Sequence, residues 1–193
     1  LFGQKKHLFE GGIRVPAIIR WPNVIEPGVS DLPNSNLDVL PTIADIVGID
    51  LPQDRAIDGT SILPHLLNRE EIQRDKPLYW QTELDPIWMI EGVGYERRFD
   101  GEKPVDIPTP RVVIRRDDYV LRGFSSNSED FAEPDIFQLY NVVKDKMEMV
   151  ELSKFEPELF EKMRSELIEM WRDVNKDKDQ TRSEIDNKTD QRN

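Results

Sequence analysis

The chain has 193 residues, of which 37% are apolar and 33% are charged, and its formal net charge is −12. The acidic excess argues against nucleic acid as the main partner, because binding to phosphates requires a basic surface. The sequence contains no cysteine, which excludes disulfides, a thiolate zinc site and a cysteine nucleophile within this chain. No apolar run approaches the roughly 18 residues of a membrane-spanning helix, so we expect no membrane partner either.

The segment 1–21 combines a lysine-bearing loop with an apolar run. Gly11 and Gly12 predict a turn, because glycine tolerates backbone angles that a side chain forbids. Residues 15–21 predict a strand, and the apolar, β-branched character of this run favours burial on both faces of a sheet. Glu10 and Arg14 flank the turn. Their spacing favours a partly buried ion pair that fixes the loop, and a general acid/base beside an anion clamp is the alternative.

Two helices are predicted in the next segment. Apolar residues at helical spacing predict a helix over residues 36–47 that ends at Gly48. Asp38 lies at its start, where a carboxylate meets the positive end of the helix dipole. A short helix is predicted over residues 61–67, and we expect His65 to be one of its surface or half-buried residues.

The pattern then changes to β structure. A strand is predicted at residues 77–81, a hairpin at 111–124 and a further strand at 136–141. Residues 82–108 show no clean period. We interpret the aromatic residues in and beside this stretch as packing under a long loop, with a substrate-facing wall as the alternative.

The predicted hairpin turns at Arg116 and Asp117. Its charged residues favour an exposed turn, although one of the arginines, Arg115 or Arg116, could reach an anionic substrate. After the last strand, apolar residues at 3.6-residue spacing predict a long helix over residues 157–174 that packs on the sheet. Residues 175–193 are polar and predict a solvated helix or disorder.

Three sequence blocks carry a family resemblance. Residues 3–16 read Gly-x-Lys-x-x-x-x-Glu-Gly-Gly-x-Arg-Val-Pro and lead to Trp21-Pro22. Residues 38–42 read Asp-x-x-Pro-Thr, and residues 58–66 read Asp-Gly-x-Ser-Ile-x-Pro-x-Leu. In this order the blocks resemble the formylglycine-dependent (type I) sulfatases, and the resemblance covers roughly residues 1 to 174. Lys146 and Glu151 stand where that family usually has proline and asparagine, which puts the local turn in question.

The resemblance implies the C-terminal portion of a longer enzyme, with an α+β fold as a fragment. Residues 1–76 would be the end of an alkaline-phosphatase-like α/β catalytic domain. Residues 77–174 would form a small antiparallel sheet packed by a long C-terminal helix, followed by the polar tail. The implied parent enzyme hydrolyses sulfate esters of small molecules or glycans, and the resemblance favours a periplasmic or extracellular location.

The same resemblance assigns roles to residues of the first block. Lys5 aligns with the lysine that contacts the sulfate group in these enzymes. His7 would face the same way as Lys5 if residues 5–7 are extended, and would then line the same pocket. Glu10, Gly11, Gly12 and Arg14 would support the site structurally.

Two parts of the family's active site have no counterpart in the sequence. The nucleophile motif (Cys/Ser)-x-Pro-x-Arg is absent. The family's calcium ligands, two aspartates near that motif and an Asp-Asn pair just before the lysine loop, have no counterpart either. We therefore expect calcium in the parent enzyme with ligands outside this chain, a missing N-terminal catalytic portion as partner, and no activity for the chain alone.

Two other functions remain open on the sequence. The parent enzyme could be a related phosphodiesterase or phosphonate hydrolase, since lysine and a metal ion also bind phosphates. Alternatively, the chain could be a non-catalytic module that binds a sulfated glycan or a protein. A binding module should be monodisperse alone, whereas a sulfatase fragment should expose apolar surface through its orphaned strand and helix.

Overall fold

The computed structural model describes residues 1, 3, 7–82, 95–100, 103–108, 110–126 and 133–190, with the backbone alone for 95–108 and 177–190. Its contacts divide the chain into two compact units. The helical unit is Val15–Leu78, and the sheet unit joins Leu1–Arg14 to Tyr79–Asn193. The N-terminal block thus belongs with the sheet in this chain. The assignment of residues 1–76 to a catalytic domain and 77–174 to a subdomain of the parent enzyme stays a prediction.

The regular elements follow the chain in this order: α1 (Glu10–Ile13), a 3₁₀ turn (Asn36–Asp38), α2 (Val39–Val47), α3 (Leu63–Asn68), β1 (Leu78–Gln81), β2 (Tyr95–Asp100), β3 (Lys103–Pro108), β4 (Val112–Arg116), β5 (Tyr119–Phe124), β6 (Ile136–Asn141) and α4 (Pro157–Asp190).

The helical unit contains the two helices that the sequence predicts. The 3₁₀ turn leads into α2, and its start is capped because the Ser35 hydroxyl accepts a hydrogen bond from the Leu37 N–H at 3.2 Å. Gly48 ends α2 with a φ of 68°, a left-handed conformation that glycine adopts without steric cost. α3 confirms the short helix, with His65 half-buried on it.

The predicted strand at residues 15–21 is wrong for this chain. The segment has no regular secondary structure, and Val15 and Ile18 are 76% and 94% exposed. A strand needs a neighbour for its backbone N–H and C=O groups, and no strand of the described chain pairs with these residues. The apolar sequence of residues 15–21 suits a buried strand between neighbouring strands, and the described chain does not supply those neighbours.

The apolar stripe of α2 also faces solvent. Leu40, Ile43 and Val47 are each more than half exposed, whereas the helix buries Thr42 and Ala44. The helical unit therefore exposes apolar side chains on both its extended segment and its main helix. This confirms the expectation of exposed apolar surface, which is unusual for a soluble domain that functions alone.

The sheet unit is built on four strands in the order β1-β4-β5-β6. β4 and β5 form the predicted antiparallel hairpin, with Ile114 opposite Leu121, and its turn places Asp117 at a φ of 53°. β6 pairs antiparallel with β5, with Leu139 opposite Leu121. The predicted antiparallel sheet is therefore confirmed.

Strand alternation gives this sheet two buried faces. On one face Val112, Ile114, Leu121 and Leu139 pack against α4 through Met163 and Leu167, as the sequence predicts. On the other face Val113, Val120, Tyr140 and Val142 pack against Leu8 and Ile13 of the first block. The sequence predicts the helical cover but not the second one.

Residues 10–13 correct the prediction of a glycine turn. Gly11 and Gly12 lie inside the single turn of α1, where the Gly12 and Ile13 N–H groups donate to the Phe9 carbonyl at 2.8 and 3.1 Å. Glycine is a poor helix former, so this turn depends on its packing rather than on propensity. Its apolar contacts with the sheet supply that packing.

Residues 82–108 contain a hairpin that the sequence does not reveal. β2 and β3 pair antiparallel, with Arg97 opposite Asp106. The strands read Tyr-Glu-Arg-Arg-Phe-Asp and Lys-Pro-Val-Asp-Ile-Pro. Val105 and Ile107 alternate with Asp106, but they pair with Arg98 and Glu96, so the hairpin has no uniformly apolar face of the kind that marks a half-buried sheet. The side chains of Trp88, Tyr95 and Phe99 lie outside the described residues, whereas Trp80 packs against the second core face.

Local hydrogen bonds hold the turn that precedes the C-terminal helix. Glu151 replaces the family's asparagine, and its carboxylate accepts hydrogen bonds from the Leu139 and Ser153 N–H groups at 3.0 and 2.9 Å. α4 then continues beyond residue 174 to Asp190. Among the described residues, no helix combines the length and hydrophobicity that crossing a bilayer requires.

The exposed apolar surface leads to a test on the purified chain. We expect it to bind an apolar-surface dye and to self-associate in light scattering, because burying exposed aliphatic groups is favourable by about 25 cal/mol per Å². Replacing both Val15 and Ile18 by asparagine should reduce the two signals several-fold, whereas Lys154→Gln, a polar surface change, should leave them unchanged. A monodisperse chain without dye binding would instead favour the binding-module interpretation.

Candidate functional site

The candidate site is the first sequence block, residues 3–16, of which the structure describes residues 3 and 7–16. Lys5 and Lys6 lie outside the described residues. His7 is buried, with 4% of its surface exposed, and its ring meets the Phe9 ring edge-on at 6.2 Å between centroids. Phe9 is itself 2% exposed. Residues 7–10 of the block are thus held in the interior of the sheet unit.

Glu10 is the centre of the ionic contacts in this block. Its side chain is 1% exposed, and its Oε2 lies 3.5 Å from Arg115 Nη1 and 3.6 Å from Arg14 Nη1. The ion pair between Glu10 and Arg14 therefore forms as predicted. Arg115 adds a second cation from β4, so it corrects the interpretation of Arg115 as part of an exposed turn. That arginine is only 11% exposed.

A second buried ion pair is linked to the first. Arg122 of β5 and Glu148 pair through Nη2 and Oε2, and their side chains are 1% and 0% exposed. The Glu10 N–H donates to Glu148 Oε1 at 3.2 Å, which joins the two pairs. We call Glu10, Arg14, Arg115, Arg122 and Glu148 the buried charge cluster.

Aromatic rings enclose the Arg122 guanidinium. Its central carbon lies 4.7 Å from the centroid of the Phe9 ring and 5.0 Å from that of Tyr140. A cation near the face of an aromatic ring is attracted to the negative charge of the ring's π system. Phe9 of the first block is therefore held to β5 both by burial and by a directional contact with a cation.

The electrostatics of the cluster follow from its burial. Burial raises the pKa of the Glu148 carboxyl, and the Arg122 guanidinium opposes that rise. Burial also lowers the pKa of the Arg115 guanidinium, an effect that Glu10 opposes and Arg14 reinforces. Within the cluster three guanidinium groups face two carboxylates, and Asp117 and Asp118 add negative charge near Arg115. Arg14, at 42% exposed, is the member with the most access to solvent.

The helical unit has a separate polar centre at Asp38. Its carboxylate accepts two hydrogen bonds from Arg74, at 2.8 and 2.7 Å, and one each from the Thr60 and Ser35 N–H groups. Burial alone would raise the pKa of this carboxyl, but these hydrogen bonds and the charge of Arg74 outweigh it and hold the pKa below its ordinary value. This confirms Asp38 at a helix start and gives it a structural role.

The described residues do not form a calcium site. They contain no group of three or more aspartate, glutamate, histidine or cysteine side chains that could hold a metal ion. Glu10 and Glu148, the carboxylates of the buried charge cluster, each face an arginine. Calcium prefers six to eight oxygen ligands, so this set does not fit it.

Comparison with known proteins finds similarity to sulfatases in the N-terminal half of the chain. Residues 1–90 match the model of the C-terminal region of N-sulphoglucosamine sulphohydrolase. This part of the chain is therefore similar to sulfatases. It is 53% identical to steryl-sulfatase of Rattus norvegicus over 66 residues, which are 34% of this chain and 11% of that protein. It is 51% identical to human arylsulfatase D over 63 residues, which are 32% of this chain and 11% of that protein.

A solved structure that matches part of the chain is the crystal structure of Ps i-CgsB, with a TM-score of 0.47 and 22% identity. The match covers 72% of this chain and 24% of that one. The chain spans only about a tenth of the length of the curated relatives that it matches. The activity of the whole protein is therefore a matter for proposal.

One feature of the sequence, the position of Arg122 within β5, points to the buried charge cluster. Arg122 shares its strand face with Val120 by simple alternation, so it should point inward wherever Val120 does. A charge at an inward position predicts a buried partner, because an unpaired buried charge is very costly. Nothing in the sequence identifies that partner as Glu148, which lies beyond β6 in an irregular segment.

Removing Arg122 should test the buried pair. We expect Arg122→Met to destabilise the chain by about 3–5 kcal/mol, because Glu148 is left buried without its cation. The double variant Arg122→Met/Glu148→Gln should recover part of this loss, since glutamine is neutral and still accepts from the Glu10 N–H. Urea unfolding measures both.

The matched control is Arg116→Met, a substitution in β4 on the other face of the sheet from Arg122. Arg116 pairs with Glu166 at 3.0 Å, and both side chains are more than 20% exposed. Its loss should cost less than about 1 kcal/mol. Equal losses for Arg122→Met and Arg116→Met would contradict the importance of the buried pair.

Asp38 leads to a pH-dependent prediction. Because its pKa is lowered in the folded state, its contribution is complete above the unfolded value of about 3.9 and is lost as pH falls through the folded value. Asp38→Asn should therefore reduce the free energy of unfolding at pH 7 and have a shrinking effect below pH of about 4. Thermal unfolding from pH 7 to pH 3 measures this, and a difference that grows on acidification would refute it.

Proposed function

We propose that the chain is part of an enzyme that hydrolyses sulfate esters. The observation that carries the proposal is the family match over residues 1–90, which include the whole block Gly-x-Lys-x-x-x-x-Glu-Gly-Gly-x-Arg-Val-Pro. The named relatives are a steryl-sulfatase and an arylsulfatase. The substrate of the parent enzyme is accordingly a sulfated small molecule or a sulfated glycan.

Lys5 is the residue of this chain that contacts the sulfate group. A sulfate ester carries a negative charge on its non-bridging oxygens, and further charge develops on the bridging oxygen as the S–O bond breaks. An ammonium group is a compact point charge that neutralises such oxygens without a fixed orientation. A preorganised cation at this place stabilises the transition state more than the ground state.

His7 and Arg14 have secondary roles in this proposal. The buried imidazole of His7 lies two residues from Lys5 and would line the wall of the sulfate pocket. Arg14, at 42% exposed, is the cation of the buried charge cluster with the most access to solvent. In a chain with a net charge of −12, such local positive charge is needed to attract an anionic substrate.

The nucleophile belongs to another part of the parent enzyme. The family uses a formylglycine formed from cysteine or serine in (Cys/Ser)-x-Pro-x-Arg, and this sequence holds no such motif. Calcium, which would assist that nucleophile, finds no fitting ligand set among the described residues. The residues of this chain bind and orient the sulfate, so the chain alone is inactive.

Substitution of Lys5 in the parent enzyme tests the proposal. Lys5→Ala should lower kcat/KM for 4-nitrophenyl sulfate by about 100- to 1000-fold, the usual effect of removing one group that stabilises developing negative charge. Lys5→Arg should retain part of the activity, because the positive charge is kept.

Lys6→Ala is the matched control, since it removes an adjacent lysine and the same amount of charge. It should change kcat/KM less than about threefold, the effect of losing one charge that does not contact the substrate. A fully active Lys5→Ala enzyme, or hydrolysis of phosphate diesters with no hydrolysis of sulfate esters, would refute the assignment.

A further inference from the structure

We infer that Ser30 and His65 form a nucleophile and its general base, a site that takes an acyl group from activated carboxylic esters. Both residues lie in the helical unit, and neither belongs to the first block or to the buried charge cluster. The inference goes beyond the proposed function and does not depend on it, because the reaction involves a carboxylic ester instead of a sulfate ester.

The hydrogen bonds of His65 determine which ring nitrogen carries the proton. His65 Nδ1 lies 2.9 Å from the carbonyl oxygen of Glu70, which can only accept, so Nδ1 is the protonated nitrogen of the neutral ring. Nε2 then carries the lone pair and accepts from the Ser30 hydroxyl, 2.7 Å away. This is the tautomer that a general base requires, because the nucleophile donates to the base and a third group orients the base.

The end of α3 places that third group. The helix ends at Asn68, and Arg69 then adopts a φ of 60°, a left-handed conformation that is uncommon for a residue other than glycine. The Arg69 N–H donates to the His65 carbonyl at 2.9 Å, so the chain folds back over the last turn and brings the Glu70 carbonyl to the imidazole. Backbone conformations of this kind cost free energy and concentrate at functional sites.

The loop that carries Ser30 is attached to the end of α3 at two points. One is the hydrogen bond from Ser30 to His65. The other is at Gly28, where a Cβ would lie 2.4 Å from Arg69 Nη2, so the guanidinium packs directly on the glycine. The Leu32 N–H also donates to Ser30 Oγ at 3.1 Å. These contacts hold the hydroxyl against the imidazole before any ester binds, which is the preorganisation that proton transfer needs.

An ester can reach this pair directly. Ser30 is exposed and His65 is half-buried. The neighbouring Val29 is 94% exposed and offers an apolar contact to an acyl or aryl group. Because the pair lies at the surface, it suits small esters with a good leaving group, whose acyl transfer needs little further stabilisation of the transition state.

The reaction has two steps that conserve atoms and charge. The Ser30 oxygen attacks the carbonyl carbon of the ester while its proton passes to His65 Nε2. The bond between the carbonyl carbon and the alcohol oxygen then breaks, and the imidazolium returns the proton to the leaving alcohol, so that acyl-Ser30 remains. Water attacks the acyl group with the same nitrogen as its base, which releases the carboxylic acid and restores the serine.

The chain contains a matched control serine, Ser61, in the same unit. Its hydroxyl also donates over 2.7 Å, and it also accepts from the N–H two residues further on, that of Leu63 at 3.3 Å. The acceptor of the Ser61 hydroxyl is the Asp45 carboxylate, and a carboxylate is a much weaker base than an imidazole. When the full chain is treated with 4-nitrophenyl acetate, peptide mass spectrometry should find Ser30 acetylated about 100-fold faster than Ser61, the lower end of the usual effect of a general base.

His65→Gln separates proton transfer from structure. The glutamine carbonyl still accepts a hydrogen bond from the Ser30 hydroxyl, but an amide does not take up its proton. We expect the acetylation rate of Ser30 to fall about 100-fold in His65→Gln, with the rate at Ser61 unchanged. The melting temperature shows whether the variant is folded, and the comparison of Ser30 with Ser61 in the unaltered chain holds even if it is not.

Three results would overturn the inference. The first is equal acetylation of Ser30 and Ser61 in the unaltered chain. The second is a folded His65→Gln chain that is acetylated at Ser30 as fast as the unaltered chain. The third is acetylation of His65 itself at an unchanged rate in Ser30→Ala, which would make the imidazole the nucleophile. None of these results affects the sulfate-ester assignment, which Lys5→Ala tests in the parent enzyme.

Discussion

The structure of the sheet unit depends on the buried pair between Arg122 and Glu148. Both side chains are essentially inaccessible to water, and a lone charge at either position would be very unfavourable. Glu148 also accepts the Glu10 N–H, so the pair joins β5 to a segment that is far away in sequence. A contact of this kind is satisfied in one arrangement only. It makes the first block a fixed layer of the fold rather than a loose N-terminal segment.

This layer gives the sheet unit its architecture. One face of the four strands carries α4, and the opposite face carries residues 7–14, so that Val112 and Val113, neighbours in sequence, enter different cores. The helical unit contrasts with it, since residues 15–29 and the outer side of α2 remain exposed with apolar side chains. The buried charge cluster therefore lies in the sheet unit, whose sheet is covered on both faces by residues of this chain.

Local sequence patterns were sufficient for the elements that local physics determines. The apolar spacing of α2 and α4, the glycine stop at Gly48 and the alternation in β4 and β5 each predict what the structure contains. The failures have physical causes. Residues 15–21 have a strand's composition without a neighbouring strand in the described chain. The hairpin of β2 and β3 has a sheet's geometry without a uniformly apolar face. Tertiary contacts bring Arg115 to Glu10 and Glu148 to Arg122, and the sequence carries no local pattern for such contacts.

The most direct test of the attachment of residues 7–14 to the sheet is native-state hydrogen exchange at the backbone amide of Glu10. This amide has its hydrogen-bond acceptor in Glu148 rather than in the short helix α1, so its protection reports the attachment itself. The structure predicts exchange about as slow as that of the central β5 amides, and selective acceleration in Glu148→Ala. Exchange at the rate of a frayed chain terminus in the unaltered protein would show that the first block is not held on the sheet.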